Sequence, residues 1–222
     1  MNTKYIFIDI DATLLDHETG IPSSAIYAIN EARKKHKVFI CTGRPYTNID
    51  DEIKNIEFDG YICGCGSYVI IEHKKVFVSC MQSSHVKEIK KLLEHYRIGY
   101  NLEGEDKSFL DNVAFQFFST FFCDIKTNES LKTELMNNRK MYQSESITNE
   151  DYEHILKIST FGNSQEECDN LIKNLPSGLQ TVLHSYDNVN IDMEISDSTI
   201  SKATGIDIVL KHFNACIENT IA

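Results

Sequence analysis

Three short apolar runs, residues 5–10, 38–41 and 61–63, constrain the fold of this chain more than anything else in it. None alternates polar with apolar residues, which is the pattern of strands buried on both faces rather than strands with one wet face. Between the first two runs, Ile21-Pro22-Ser23-Ser24 supplies helix start signals, and Ile26, Ile29 and Arg33 recur at helical spacing through a stretch ending near His36. After the second run, Thr42-Gly43-Arg44-Pro45 turns the chain into a further helical stretch, with proline tolerated at a helix start. Strand, helix, strand, helix, strand in this order predicts right-handed crossovers and an open α/β fold with a Rossmann-like, mostly parallel sheet.

The pattern changes at Tyr68. Residues 68–72 and 75–79 flank His73-Lys74 like a hairpin, which a parallel doubly wound sheet does not require. Beyond it, Val86, Ile89, Leu92, Leu93 and Tyr96 sit at helical spacing, followed by a strand at 155–161, a helix at 166–173 and strands at 181–184 and 189–195. The expected organisation is an α/β core of residues 1–81 and 194–222 into which an α+β cap, residues 82–193, is inserted. The aromatic cluster Phe115, Phe117, Phe118, Phe121 and Phe122 reads as cap core before it reads as a pocket lining.

Charge narrows the function classes. Against 22 Lys and Arg stand 33 Asp and Glu, a net charge of -11, which argues against a nucleic-acid partner because such partners need clustered cations to displace phosphate counterions. An acidic protein that handles phosphate needs local compensation, from a divalent cation and a well-placed lysine. No apolar run approaches the roughly 20 residues of a spanning helix, and the charges in residues 1–11 do not suit a signal peptide, so a cytoplasmic location without membrane association is expected. The seven cysteines are an odd number scattered through apolar stretches, which suits reduced thiols. Cys63-Gly64-Cys65 lacks a second cysteine pair for a metal, and His17, His73, His95 and His154 show no ligand spacing.

Asp9 and Asp11 stand at the carboxyl end of the first apolar run, where open parallel sheets hold their ligands. If the strand persists that far, alternation sends both acids to one crevice, one to attack phosphorus and one to handle the proton. Taken alone, the pair reads equally well as two solvated loop acids.

Asp9-Ile10-Asp11-Ala12-Thr13-Leu14-Leu15 resembles the first motif, Asp-x-Asp-Gly-Thr-Leu, of the haloacid dehalogenase-like superfamily. Val38 through Arg44 resembles its second, Asp59-Gly60-Tyr61-Ile62 followed by Gly66 looks like its third core strand, and Ser201-Lys202-Ala203-Thr204-Gly205-Ile206 resembles the lysine motif of its Cof-like, type IIB capped members. The resemblance implies a phosphatase of small phosphorylated metabolites, such as sugar or cofactor phosphates. In it, Asp9 forms an aspartyl-phosphate and Asp11 acts as general acid and base. Mg2+ is held by the Asp9 carboxylate and the Asp11 backbone carbonyl, Thr42, Gly43 and Lys202 bind the phosphate, and Arg44 either touches substrate or forms a surface ion pair.

Three departures qualify this. Ala12 and Ala203 stand where the family usually has glycine, and Cys65 stands where many members have Asn. No Gly-Asp-x-x-Asn-Asp motif occurs, so the resemblance implies that the last core strands and part of the magnesium site are missing. That would leave the Asp9 strand with an exposed edge prone to self-association. The competing reading is accordingly a non-catalytic remnant that binds phosphate or self-associates; a receiver-like domain that keeps its phospho-Asp is a third, opposed by the large insert.

Overall fold

The computed structural model describes residues 3–16, 19–121, 140–185 and 190–222. They divide into two compact units, one of Met1–Ser79 with Ile200–Ala222 and the other of Cys80–Thr199.

The first unit is built on a six-stranded sheet. Strands β1 (Tyr5–Ile8), β2 (Lys37–Cys41) and β3 (Gly60–Cys63) run parallel, and β4 (Tyr68–Ile71) and β5 (Lys74–Val78) add an antiparallel hairpin beyond β3. Glu72 and His73 turn that hairpin with φ of 47° and 64°, the two left-handed positions of the turn type whose twist matches paired strands. Helix α1 (Ser23–Arg33) makes the first crossover. The helical stretch expected after Pro45 is a 3-10 turn, Tyr46–Asn48, followed by the one-turn helix α2 (Asp51–Lys54).

At the other side of β1, Thr220 and Ile221 pair in parallel with Tyr5 and Ile6 as β12. The exposed edge expected for the Asp9 strand is therefore corrected over these two residues: β1 lies between β12 and β2, and Tyr5 and Phe7 are buried. Phe7 stacks on Phe39 at 5.5 Å between ring centres, and Tyr5 meets Phe213 at 5.5 Å. Val209 and Leu210 of the helix Lys202–His212 complete this apolar layer with Cys41, Ile62, Val69 and Ile71.

The second unit has its own sheet, in the order β10 (Leu179–Ser185), β11 (Ile191–Asp197), β9 (Ile155–Asn163), β6 (Gly99–Gly104), β7 (Ser108–Leu110), β8 (Met141–Gln143). Strand β11 runs across residue 193, where the sequence reading ends the insert. Among the described residues, three helices belong to this unit, α3 (Ser83–Tyr96), α4 (Asn112–Phe121) and α5 (Gln165–Asn174). Val86, Ile89 and Leu93 of α3 bury one stripe against Tyr100, Leu102, Ile158, Met193 and Ile195. Residues alternating with these on the sheet are polar: buried Lys157 pairs with half-buried Glu194 and lies 3.4 Å from buried Glu103, which also accepts a 2.6 Å bond from Ser159. Burial raises the Glu103 carboxyl above its ordinary value although Lys157 and Ser159 pull the other way. Of the aromatic cluster, Phe117 stacks on Phe161 at 6.3 Å, and Phe122 lies outside the described residues.

Candidate active site

The carboxyl ends of three adjacent parallel strands converge in the first unit: β1 leads to Asp9, β2 to Thr42 and β3 to Gly64. Such a crevice is where an open parallel sheet leaves backbone groups unpaired and free for a ligand.

Beyond β1 the backbone does not stay extended. β1 ends at Ile8, and the N–H groups of Leu14 and Leu15 donate back to the Ile10 carbonyl at 3.0 and 2.9 Å, winding residues 10–15 into a turn. The expectation that alternation along one strand aims both acids is thus corrected: Asp9 is set by the strand and Asp11 by the turn. The turn passes through Ala12 at φ 55°, a backbone conformation suited to the usual glycine and held here by an L-residue. Ala203 needs no such freedom, because it lies in the first turn of helix α6 (Lys202–His212) and is absent from the left-handed positions of the described backbone.

Each acid has a cationic partner. Asp9 binds the ammonium of Lys202 through one oxygen and accepts the Ile10 N–H at 2.8 Å through the other. Lys202 comes from 193 residues away. Asp11 is gripped on both oxygens by Arg44, Nε at 3.0 Å and Nη2 at 2.6 Å, while Nη1 of the same guanidinium reaches Asp50 at 2.9 Å. Arg44 therefore forms an ion-pair cluster, and Asp50 is a site neighbour that the sequence reading did not single out. Burial would depress the Arg44 guanidinium, but Asp11 and Asp50 raise it above its ordinary value.

Thr42 is fully buried, donates its N–H to Ile62 at 2.8 Å and accepts the Arg44 N–H on its hydroxyl at 3.2 Å; Gly43 beside it is half-buried. Cys41, one residue earlier, has its thiol pushed up to about 11 by burial, with Asp9 adding to and Lys202 opposing the shift.

Two glycines bring Lys202 to this place. A Cβ on Gly66, at φ 104°, would lie 1.9 Å from the Ser201 carbonyl oxygen, and one on Gly205 would lie 2.4 Å from Ile62. Bare backbone on both sides lets the start of α6 press onto the loop after β3. Ser201 caps the helix by accepting the Thr204 N–H at 3.2 Å. The resulting position places a lysine at the positive end of the helix dipole, an electrostatically poor choice that Asp9 offsets.

Magnesium, implied by the resemblance, takes six oxygens. Here one Asp9 oxygen is on Lys202 and the other on a backbone N–H, and both Asp11 oxygens are on Arg44. Among the described residues, no group of three His, Cys, Asp or Glu donors forms around them. The Asp9 carboxylate, engaged on both oxygens, would supply the one side-chain ligand of the implied set beside the Asp11 carbonyl, so the described side chains do not by themselves complete a magnesium site.

Residues 6–222 match the family profile of haloacid dehalogenase-like hydrolases. The chain belongs to the haloacid dehalogenase-like hydrolase family. Among curated proteins, it is 27% identical over 92 residues to YkrA of Bacillus subtilis (strain 168), named there as a candidate phosphatase. That match covers 41% of this chain and 36%, about a third, of the relative's own length. Solved structures share the fold. A haloacid dehalogenase-like hydrolase from B. subtilis is 18% identical with a TM-score of 0.73, covering 98% of this chain and 81% of that one. A Plasmodium vivax protein described as HAD/COF-like is 19% identical with a TM-score of 0.74, covering 99% and 77%. A subclass IIB sugar phosphatase is 24% identical with a TM-score of 0.71, covering 98% and 79%. Among the described residues of this hydrolase-family chain, no helix is long and apolar enough to cross a membrane.

Proposed function

We propose that this chain is a Cof-like, type IIB phosphatase scaffold acting on small phosphorylated metabolites, with Asp9 as nucleophile. The observation that carries the reading is the pairing of Asp9 with Lys202 across 193 residues at the carboxyl end of β1. A phosphate monoester resists hydrolysis strongly, so the site must supply a nucleophile, charge neutralisation and a proton. A carboxylate with one oxygen held by a backbone N–H and the other by an ammonium is fixed in orientation. Its lysine remains beside the phosphoryl oxygens as they gain charge.

In this reading Asp9 opens the P–O bond to the leaving alcohol by forming an acyl phosphate, Asp11 hands the alcohol its proton, and Asp11 then takes a proton from the water that splits the acyl phosphate. Thr42 and the Gly43 backbone hold the transferring group. Arg44 controls Asp11: a bidentate guanidinium holds the charged carboxylate, so Asp11 can carry a proton only after Arg44 lets go. An incoming phosphate offers guanidinium a second bidentate acceptor and can draw it off.

The test is phosphate release from a panel of phosphomonoesters, with and without added Mg2+, comparing the unaltered chain with Asp9→Asn. Release abolished by the substitution supports Asp9 as nucleophile; equal release by both proteins removes it. A second reading, phosphate binding without turnover, is favoured by one observation, the absence of a complete magnesium donor set among the described residues. It predicts no release from any ester, together with phosphate binding that weakens in Lys202→Met.

A further inference from the structure

The second unit holds a cluster of three side chains of metal-ligating types that the hydrolase reading does not use. Cys80, Glu105 and His154 bring one ligand atom each to within 4.8 Å of one another. One carboxylate oxygen of Glu105 is the meeting point, 3.6 Å from Cys80 Sγ and 3.0 Å from His154 Nδ1. Donors around a tetrahedral ion with bonds of about 2.0–2.3 Å stand about 3.3–3.8 Å apart, so small side-chain shifts would bring these three onto one ion.

The backbone fixes the three segments before any ion arrives. Met81 donates its N–H to the Ile155 carbonyl at 2.8 Å, and Glu105 donates its own to the His154 carbonyl at 3.1 Å. Gly104 makes the second contact feasible, since a Cβ there would lie 2.5 Å from the Lys107 carbonyl oxygen and 3.2 Å from that of His154. Glu105 is buried, whereas the His154 side chain is about half exposed, so the site has a closed floor and an open side. Glu105 and His154 also line a cavity of about 390 Å³ with Lys107, Thr148 and Asp151.

We infer that Cys80, Glu105 and His154 form a binding site for a zinc-like divalent cation, with the fourth coordination position facing the cavity. A thiolate, an imidazole and one carboxylate match zinc and its soft neighbours, and exclude magnesium and calcium, which take oxygen alone. Binding deprotonates the thiol: an S–metal bond replaces the S–H bond and one proton goes to solvent. The ion would tie the first residue of this unit to the end of β6 and the start of β9.

The whole chain, reduced and chelator-stripped, is titrated with Co2+ and then Zn2+. The expected result is one Co2+ per chain with a near-ultraviolet thiolate-to-metal band, displaced by Zn2+ binding at a Kd on the order of 1 µM or below. Cys80→Ser should abolish the band, Glu105→Gln and His154→Gln should weaken Zn2+ binding roughly tenfold or more, and Cys216→Ser, at an exposed cysteine, should retain it. A band that survives Cys80→Ser, or the absence of one-to-one binding, overturns the assignment. Alkylation followed by peptide mapping tests the unaltered chain independently of how the variants fold. Zn2+ should slow modification of Cys80 roughly tenfold, and an unchanged rate also overturns the assignment.

Discussion

Ala12 holds a left-handed conformation, φ 55°, that costs an L-residue about 1–2 kcal/mol and glycine almost nothing. Ala12→Gly should therefore be neutral or stabilising by up to about 1 kcal/mol, once the entropy glycine adds to the unfolded chain is subtracted. Ala28→Gly, at an exposed position inside α1, should instead cost about 1 kcal/mol. Urea denaturation of the two variants checks the contrast, and equal losses would sink the strain argument. The same scale exposes the limit of sequence reading at the site. Asp9 and Lys202 are legible from their motifs, but the Arg44 grip on Asp11 is not, because it depends on a turn set by the Leu14 and Leu15 N–H groups meeting the Ile10 carbonyl. Nor could Cys80 and His154 be linked, since the 73 intervening positions carry no ligand spacing and it is the Met81 N–H on the Ile155 carbonyl that draws them together.

At the scale of elements, the lysine helix is positioned by what is missing from Gly66 and Gly205. Gly66→Ala sets a methyl group against backbone at 1.9 Å and should cost about 3 kcal/mol or more, whereas Gly205→Ala meets the Ile62 side chain at 2.4 Å, with the nearest backbone at 3.2 Å, and should cost about 1–3 kcal/mol. Gly20→Ala is the control: its φ of 75° is strained but nothing lies within 4 Å. Thermal unfolding should rank the three with Gly66→Ala worst, and a Gly20→Ala loss as large as that of Gly66→Ala would show that crowding is irrelevant. The first three strands are legible because strands buried on both faces cannot alternate, and β1, β2 and β3 fall where the apolar runs lie. Helix length after Pro45 is not, since periodicity there gives no sign that one short turn precedes a single helical turn.

A pH effect belongs to the loop elements of the second unit. Burial alone would raise the Asp151 carboxyl, but Lys107 and the Thr148 N–H and hydroxyl together hold it below its ordinary value. A carboxyl depressed on folding stabilises the fold above its unfolded pKa of about 3.9 and loses that contribution as pH falls through the lower folded value. Asp151→Asn should therefore destabilise the protein by about 1–3 kcal/mol at pH 7 and by progressively less below about pH 4. Denaturation midpoints measured across that range check the sign.

For the whole molecule, the second unit has a sheet, helices and an apolar core of its own. A fragment covering residues 80–199 should unfold cooperatively, with a sigmoidal denaturant transition; a featureless, gradual loss of signal would contradict it. The first unit cannot be cut out so simply, being made of two stretches separated by the other. The donor set at Asp9 further predicts that calorimetric titration finds Mg2+ binding only in the millimolar range or weaker.

The distance in sequence between Asp9 and Lys202 also has a meaning in time. A ribosome adding about 5–20 residues per second needs roughly 10–40 s to make the 193 residues that separate them. Throughout that interval the nascent Asp9 strand has no lysine and no β12, while every residue of the second unit has already been made before Lys202 appears. The order of synthesis therefore favours an inserted unit that folds first and a crevice at Asp9 that closes last, when the helix carrying Lys202 seats its bare glycine against the loop after β3.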